Sequence, residues 1–351
     1  MSDRAPHATP AHLRPPTLQG AAAALPASTC APYGARLGTG GARHWLVESQ
    51  DADAQAMAQP DWAMHYEQLS GGAFSGRVHH IQLPGLRLVR EDANRALHQQ
   101  GEMGREAFGL AMPLSLASPA IFSGQRADQD DIMVGRGDTL DLVTPPAFAL
   151  IAVVVDHALL APLWQHMYQK SPATWLNQQR VLKARPAAAQ AVRQLHLNLM
   201  DRLSAPQLPA PTYAELTTWR DALLMEWIEA LPEQVPGIHK PLQLERRLLV
   251  KRACELMLAH AESPLSIPQV CLTLGASRRQ LNYCFQDVLG TSPIKYLCAL
   301  RLGRVRRELR AGGGTVAQAA CRWGFWHLGQ FARDYRAQFG ELPSQTLRRA
   351  A

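Results

Sequence analysis

The sequence has few cysteines and no long apolar run, and both absences narrow the class of protein. Its six cysteines in 351 residues include no Cys-x-x-Cys pair, which argues against a disulfide framework and against a zinc site. No stretch approaches 18 consecutive apolar residues, so the sequence offers no candidate membrane-spanning helix. The cysteines are Cys30, Cys254, Cys271, Cys284, Cys298 and Cys321. We therefore expect a cytoplasmic protein with reduced thiols and no membrane partner.

The sequence also lacks the residue patterns of common catalytic and metal sites. No nucleophile–base set or paired carboxylates stand out, and Gly312–Gly314 lacks the Lys-Ser/Thr of a phosphate-binding loop. His79 and His80 are adjacent in a predicted strand, so their side chains point to opposite faces, unlike a His-x-His pair. We expect no catalytic residue and no metal site, and the sequence identifies no cofactor.

Negative charge is scarce in the C-terminal third of the chain. Residues 241–351 contain 17 Lys and Arg but only 7 Asp and Glu, a net charge of +10, whereas the whole chain carries +7. The first 240 residues therefore have a net charge of −3. A near-neutral body joined to a basic region indicates a polyanion as the partner of that region. The alternative from charge alone is a basic surface that only aids solubility.

Changes in composition along the chain predict four regions. Residues 1–43 are rich in Ala, Pro and Gly without periodicity, which predicts disorder. Residues 44–155 contain short apolar runs separated by turn residues, which predicts a β-rich domain, barrel-like or a sandwich, with room for a sensed ligand. Residues 156–240 form helices and a linker, and residues 241–351 are all helix with short turns. The predicted fold class is α+β.

One helix in the third region has a continuous apolar stripe. The stripe recurs every three or four positions, as on one face of a helix. Its members are Leu216, Trp219, Leu223, Trp227 and Leu231. Two interpretations stay open: the stripe forms the seam of a homodimer, or it packs on the β-rich domain of its own chain.

The basic region contains the same pattern twice. The segment LNYCFQDVLGTSP from Leu281 and the segment FARDYRAQFGELP from Phe331 share one apolar–Gly–Pro frame at an offset of 50 residues. Each copy predicts a helix, a glycine turn and a second helix, at about residues 260–290 and 315–340. This helix-turn-helix arrangement places its second helix in a DNA major groove.

The segment between the two copies predicts one long helix. Pro293 to Arg310 spans 18 residues, or about 27 Å as a helix. A helix of this length would place the second helix of one copy and that of the other near one turn of B-DNA apart, about 34 Å. In the second copy we expect Leu328, Phe331, Tyr335 and Phe339 to point inward. Trp323, Phe325 and Trp326, which flank the turn, are expected in the core.

Residues 248–349 resemble the AraC/XylS family of transcription regulators. The residues that carry this resemblance are Gly275, Ser277, Leu281, Phe285, Gly290, Ser292–Pro293, Tyr296–Leu297, Arg301–Leu302, Ala320, Gly324–Phe325, Phe331, Arg333, Tyr335, Phe339–Gly340 and Pro343–Ser344. The stretch WGFWHLGQFARDYRAQFGELPS is similar in particular to the ethanolamine-operon regulator subgroup. The chain departs from the family pattern at Gly329, where Ser is usual, and at Thr346–Leu347, where Tyr-Arg is usual.

The resemblance implies a bacterial, sequence-specific DNA-binding regulator of the activator type. It implies double-stranded DNA and RNA polymerase as partners, a possible homodimer, and an N-terminal domain that responds to a small-molecule effector, here unknown. One alternative is an enzyme that borrows the DNA-binding region, such as an alkyl-accepting repair protein. That reading needs a reactive cysteine in the N-terminal half, where only Cys30 lies. Another alternative is a regulator without an effector.

The outward face of each second helix supplies the candidate DNA-binding residues. In the first copy these are Arg278, Arg279 and Asn282, and in the second copy His327, Gln330, Arg333 and Arg336. Arg bonds bidentately to guanine and Asn or Gln to adenine, so base reading is physically reasonable. Contact with phosphate alone is the open alternative for the arginines. On the long helix, Arg304 and Arg307 are the phosphate-contact candidates.

Overall fold

The structure is a computed structural model. It describes residues 36–37, 43–59, 61–104, 107–136, 140–168, 180–205, 210–232, 241–260, 265–312 and 314–350. The predicted disordered segment 1–43 lies mostly outside the described residues. Within it, Arg36–Leu37 forms a short strand that pairs with the strand that begins at Arg43.

The N-terminal half of the described chain is rich in antiparallel strands. The strands are β1 (Arg36–Leu37), β2 (Arg43–Ser49), β3 (Ala63–Gln68), β4 (Gly76–Leu83), β5 (Leu86–Ala93), β6 (Leu97–Glu102), β7 (Ala107–Ser115), β8 (Ala120–Phe122), β9 (Gln125–Ala127), β10 (Asp131–Arg136), β11 (Leu140–Thr144), β12 (Phe148–Asp156) and β13 (Val181–Lys183). Among the described strands, one sheet has eight members in the order β1-β2-β4-β5-β12-β7-β10-β13. The other has five, in the order β3-β6-β11-β8-β9.

Of the two expected forms, the barrel does not close in the described part of the chain. Each sheet ends in two edge strands within the described residues, so the β-rich domain is a pair of facing sheets. Strand length and turn spacing are common to barrels and two-sheet folds, so the sequence pattern could not separate them. Strand β3, which begins at Ala63, pairs with β6, which begins 34 residues later at Leu97. This pairing starts a second sheet and so prevents a single closed barrel.

The central strand β12 shows why the larger sheet is buried on both faces. Its sequence FALIAVVVD is apolar without interruption, as expected of a strand that is covered on two sides. Ile151 and Val153 pack with the helices on the outer face. Leu150 and Val154, which alternate with them, pack against the five-stranded sheet.

Helices follow the strands along the chain. They are α1 (Ala52–Met57), α2 (His157–Tyr168), α3 (Pro186–Ser204), α4 (Tyr213–Glu229), α5 (Pro241–Ala259), α6 (Ile267–Leu274), α7 (Arg278–Leu289), α8 (Pro293–Arg310), α9 (Val316–Arg322), α10 (Leu328–Phe339) and α11 (Pro343–Ala350). Helix α1 lies between β2 and β3. Helices α2 to α4 cover the outer face of the eight-stranded sheet, and α5 to α11 form the basic region.

The apolar stripe on α4 is used within its own chain. Leu216, Leu223 and Trp227 are fully buried in the core that joins α4 to the eight-stranded sheet. Trp219 packs at its margin, with the Arg202 guanidinium 4.7 Å from its ring. The structure therefore shows the second interpretation, in which the stripe packs on the β-rich domain of its own chain. The stripe is not an exposed seam for a dimer.

The five-stranded sheet lies between the eight-stranded sheet and the C-terminal helices. Val143 on β11 points away from the core between the two sheets. It packs instead in the core that contains Phe285, Tyr296 and Leu300. His98 on β6 contacts the Tyr296 hydroxyl through Nδ1 (3.1 Å). The described β-rich and helical regions are thus packed on each other through one face of the smaller sheet.

Candidate nucleic-acid interface

The first pair of helices forms as its local sequence predicts. Helix α6 ends at Gly275, whose φ of 63° is the left-handed conformation that favours glycine. Ser277 then caps α7, because its side-chain oxygen accepts a hydrogen bond from the Gln280 N–H (3.1 Å). Leu281 and Phe285 are fully buried and fix the inward face of α7.

That packing leaves the N-terminal turns of α7 open to a ligand. Arg278 and Arg279 are exposed, and Asn282 is half-buried. The first residues of a recognition helix are the ones that contact base edges in a major groove. Tyr283 is also exposed and holds the Arg246 guanidinium 4.7 Å from its ring.

The second pair repeats the arrangement with a different cap. Helix α9 begins after Thr315, which forms a capping box with Gln318, and the chain turns at Gly324 with a φ of 81°. Helix α10 begins after His327, whose side chain makes no capping bond. Phe331, Tyr335 and Phe339 are buried. His327 is exposed, which leaves its ring available at the start of α10.

The outward face of α10 carries a connected set of polar groups. The Arg333 Nη2 donates to Gln330 Oε1 (2.8 Å), and Gln330 Nε2 donates to Asp334 Oδ1 (2.6 Å). Gln330, Arg333 and Arg336 are all exposed. The amide of Gln330 is thereby oriented before any ligand arrives, which lowers the entropic cost of a bidentate contact.

Two apolar residues near α10 do not lie where we expected them. Trp326 is 75% exposed and Leu328 is 43% exposed, so the expectation that both are in the core is wrong. Helical periodicity marks an apolar face, but it does not show whether another element covers the first turn of a helix. Both residues border the exposed polar set of α10, and a contact with sugar or a base methyl group is open to them.

The arginines of the long helix α8 contact carboxylates of the N-terminal region. Arg307 Nε donates to Asp53 Oδ1 (2.8 Å), and its Nη1 lies 3.3 Å from Glu67 Oε1. Arg310 Nη1 is 2.6 Å from Asp51 Oδ1. Arg304 is half-buried. We call these carboxylates and arginines the arginine clamp. Its members are Asp51, Asp53, Glu67, Arg306, Arg307 and Arg310.

Glu67 is the buried carboxylate of the arginine clamp. Its side chain is 3% exposed. Burial alone would raise its pKa, but the hydrogen bond from His65 and the charge of Arg307 outweigh burial, and the pKa of Glu67 is lowered. Gly303 on α8 makes room for it, because a Cβ at that position would lie 2.8 Å from Glu67 Oε2. Glu67 is therefore ionised at neutral pH and holds Arg307 by charge.

The C-terminal end of α10 also contacts the N-terminal region. Gln68 Nε2 donates to the Gln338 carbonyl (2.6 Å), and the Gly72 N–H donates to the same oxygen (3.1 Å). A Cβ at Gly340 would lie 2.8 Å from the Ala73 nitrogen. These contacts fix the last turn of α10, whereas its first turns stay exposed.

Three thiols of the described region are poorly suited to nucleophilic chemistry. Burial raises the pKa of Cys254 to about 12, and it also raises the pKa of Cys284 and Cys298. A thiol needs its thiolate form to accept an alkyl group. Cys30, the residue that the enzyme alternative needs, lies outside the described residues. A search of the described residues finds no cluster of three or more His, Cys, Asp or Glu able to hold a metal ion.

None of the described helices combines the length and the apolar character that crossing a membrane requires.

Known proteins match the C-terminal part of the chain. A family described as a helix-turn-helix domain matches residues 270–349. Residues 270–349 are thus similar to a helix-turn-helix domain, and we refer to them by that name. They contain α7, α8, α9, α10 and α11, and hence the candidate DNA-binding residues in both copies.

Relatives of the helix-turn-helix domain are named as regulators. The "Probable thc operon regulatory protein" of Rhodococcus erythropolis is 41% identical over 103 residues, 28% of this chain and 31% of that protein. The "XylDLEGF operon transcriptional activator 3" of Pseudomonas putida is 33% identical over 102 residues, again 28% of this chain and 31% of that protein. The chain thus spans about a third of the length of these relatives.

A solved structure is also similar to part of the chain. It is that of a probable AraC family transcriptional regulator from Rhodopseudomonas palustris CGA009, with 38% identity, 29% of this chain and 97% of that chain covered, and a TM-score of 0.28.

Proposed function

We propose that the protein is a bacterial, sequence-specific transcription regulator of the AraC/XylS kind that binds double-stranded DNA. The observation that carries the proposal is the exposure of Arg278, Arg279, Gln330 and Arg333 on the first turns of two helices that flank α8. Exposed Arg and Gln at the start of a helix suit the major groove. The net charge of +10 over residues 241–351 adds sequence-independent attraction to phosphate.

The relatives support a role in operon control. Both curated relatives named above carry an operon in their names, and one is called an activator. We propose RNA polymerase as a further partner, a cytoplasmic location, and a homodimer through a surface other than the α4 stripe. The expected likeness to the ethanolamine-operon subgroup gains no support from these relatives, which are named for thc and xyl operons.

The experiment for this function is selection from a random duplex library by the full-length protein. We expect an enriched motif with two half-sites about one helical turn apart. Arg279→Ala is expected to relax base preference in one half-site and Gln330→Ala in the other, each at a cost of about 1–3 kcal/mol. Sequencing of the selected pools measures the preference at each position.

The matched control for these variants is Gln286→Ala. Gln286 is exposed on the same helix as Arg279 but two turns later, so it should leave the motif unchanged. A library with no enriched motif at moderate salt would refute the proposed function. Variants that weaken all sequences equally would refute the assignment of the reading residues and leave phosphate contact as their role.

We still propose that Arg307 contacts DNA phosphate. The carboxylates of the arginine clamp compete for Arg307, so neutralising them should raise the affinity for DNA. Arg307 cannot bond Glu67 and a phosphate with the same donors at once. We therefore expect Asp53→Asn combined with Glu67→Gln to raise affinity for all DNA sequences about tenfold, as one charge-assisted hydrogen bond allows. The slope of log K against log salt should also steepen by about 1. Titration of labelled duplexes at several salt concentrations measures both.

The control must change the net charge equally without touching the clamp. Asp201→Asn with Asp221→Asn does so, because both residues are exposed on α3 and α4, which cover the opposite face of the larger sheet. We expect this pair to leave the affinity nearly unchanged. If both pairs raise affinity equally, net charge explains the effect. If the clamp pair lowers affinity, Arg307 does not act on phosphate.

A further inference from the structure

The second helices of the two copies, α7 and α10, carry different side chains at equivalent positions. Both helices have 12 residues, and both end at a glycine in the left-handed conformation. At the offset of 50 residues, the first two positions of α7 are Arg278 and Arg279, and those of α10 are Leu328 and Gly329. The N-terminal residues of such a helix contact base edges. The two helices therefore present different chemistry to DNA.

Helix α7 begins with hydrogen-bond donors. Arg278 and Arg279 are both exposed, so both guanidinium groups can reach a ligand. Guanine offers two acceptors, N7 and O6, on its major-groove edge, and one guanidinium group bonds both at once. The first three residues of α7 include no apolar side chain. The start of α7 therefore favours a half-site that contains guanine.

Helix α10 begins with an uncovered apolar side chain. Leu328 is 43% exposed, although Phe331, one turn later on the same side of the helix, is buried. Trp326, two residues before Leu328, is 75% exposed. The segment from Trp326 to Gln330 contains no Lys, Arg, Asp or Glu. Adjacent exposed apolar side chains mark a surface that another molecule covers, and here that surface carries no charged side chain.

Gly329 keeps the space next to Leu328 open. A Cβ built at Gly329 would have no other atom within 4 Å, so internal packing does not require glycine at this position. Glycine within a helix is less favourable than alanine. A helix position that lacks a side chain without an internal reason suits the close approach of another molecule. Gly329 thus leaves room for a group that contacts Leu328 from outside.

Gln330 supplies the polar contact at the same end of α10. Its Oε1 accepts a hydrogen bond from Arg333 Nη2 (2.8 Å), and its Nε2 donates to Asp334 Oδ1 (2.6 Å). An oriented amide of this kind bonds adenine at N6 and N7. The thymine paired with that adenine places its 5-methyl group in the same groove. An amide two residues from an exposed leucine therefore matches both major-groove features of an A·T base pair.

We propose that the DNA site is asymmetric: α7 reads guanine in one half-site, and α10 reads thymine methyl groups in the other. Leu328 contacts the 5-methyl group of a thymine, and Gln330 bonds an adenine of the same half-site. This inference rests on the proposed function, because it requires both helices to enter the major groove. It adds the class of DNA sequence that the protein selects and Leu328 as a residue that determines specificity.

The surroundings of Leu328 favour DNA over a protein as the molecule that covers it. Gln330 lies within one turn of Leu328, and Arg333 follows on the exposed face of the same helix. Residues 241–351 carry a net charge of +10, which attracts a polyanion. The thymine methyl group is the apolar group that a base pair presents in the major groove. It therefore suits an apolar side chain that is surrounded by reading residues.

The test removes single methyl groups from the DNA. The duplex selected by the full-length protein is made again with deoxyuridine in place of one thymine at a time, which deletes only the 5-methyl group. We expect at least one thymine in the half-site of α10 at which this change weakens binding about fourfold, as burial of one methyl group allows. The protein is the same in both measurements, so its folding cannot account for the loss.

Leu328→Ala assigns the methyl contact to one side chain. The variant should lose about fourfold on the thymine duplex and nothing further on the deoxyuridine duplex, because the contact is already absent. Arg279→Ala is the matched control on the other helix. It should lower the affinity and yet keep the fourfold effect of deoxyuridine, since α7 contacts the other half-site.

An exchange of the helix starts tests the asymmetry itself. Leu328→Arg combined with Gly329→Arg gives α10 the first two residues of α7. Selection with this variant should shift the half-site of α10 from A·T base pairs toward guanine and leave the half-site of α7 unchanged. The two half-sites are told apart because Arg279→Ala relaxes the base preference in that of α7.

Three results would overturn the inference. They are a motif with two half-sites of the same composition, binding that is insensitive to deoxyuridine at every thymine of the α10 half-site, and a deoxyuridine effect that Leu328→Ala retains. Each would leave the proposed function standing, because a motif is still enriched. A selection that enriches no motif would refute the proposed function, and the asymmetric site with it.

Discussion

Arg306→Met is expected to lower the free energy of unfolding by about 2–4 kcal/mol, because two buried carboxylates lose their buried partner and keep only the more exposed Arg310 and Arg349. The Arg306 side chain is 6% exposed, with Nη1 2.7 Å from Asp51 Oδ2 and Nη2 3.2 Å from Glu341 Oε1. Its guanidinium carbon lies 4.5 Å from the Phe339 ring centre. Methionine keeps much of this apolar contact, so the loss reports mainly the charges.

The partners of Arg306 join three parts of the chain. Asp51 is the N-cap of α1 and accepts a hydrogen bond from the Ala54 N–H (3.1 Å). Glu341 follows α10 and is also held by Arg349 (2.6 Å). Arg306 therefore links the N-terminal region to both α8 and the end of α10. Its loss should loosen the contact between the two regions as well as lower stability.

A second substitution measures the coupling between Arg306 and Asp51. Asp51→Asn alone should destabilise the protein, because it weakens the pairs with Arg306 and Arg310. In the Arg306→Met background the same change should cost clearly less, since Asp51 then pairs only with Arg310 and Asn still serves as an N-cap. Urea unfolding of the four proteins measures the coupling. The exposed pair Arg126–Asp128 provides the control, and Arg126→Met should leave the midpoint almost unchanged.

Outcomes that contradict this account are easy to recognise. If Asp51→Asn costs the same in both backgrounds, the charge of Asp51 is not coupled to Arg306. If Arg306→Met shifts the midpoint no more than Arg126→Met, the pair is not buried in solution.

The features of the helix-turn-helix domain that local sequence determines were predicted correctly. The long helix runs from Pro293 to Arg310 as expected, because Ser292 caps it and Pro293 starts it. Gly290 and Gly340 end the helices before α8 and α11 with φ values of 64° and 73°. Caps, glycine stops and prolines act within a few residues of themselves, so one sequence is sufficient to place them.

Features that depend on distant contacts could not be predicted. Arg307 and Asp53 are separated by 254 residues, and charge along α8 gives no sign of which arginine meets a carboxylate. The same limit hid the buried pair of Tyr66 and Glu91, because β3 and β5, which supply them, belong to different sheets. The one local signal was Gln55 and Gln59, two amides at helical spacing next to acidic residues. Their spacing suggests one face of a helix, but not what that face meets.

The stability of the protein is expected to fall as pH rises through about 7, and Glu91 is the cause. Its ordinary pKa is 4.5, and burial raises it to about 7 in the folded protein. The folded state therefore keeps this proton where the unfolded state has lost it. Its contribution is fully present below about pH 4.5 and is lost as pH rises through 7. The difference corresponds to about 3 kcal/mol between the two limits.

Glu91→Gln removes this dependence, so it isolates the contribution of one group. Glutamine resembles the protonated acid, and the variant should match wild type near pH 4.5 and exceed it by about 3 kcal/mol near pH 8. Other buried groups that titrate, such as His79 with its pKa lowered to about 4 and His196 with its pKa lowered to about 3, are common to both proteins. Their effects cancel in the difference between the two unfolding profiles.

The control for this experiment is Glu102→Gln, which changes an exposed carboxylate at the end of β6. Its profile of unfolding free energy against pH should run parallel to that of wild type. A Glu91→Gln profile that is also parallel would mean that Glu91 is solvated in solution. A profile that separates progressively above about pH 4.5 and levels off above pH 7 supports a buried carboxyl group with a raised pKa.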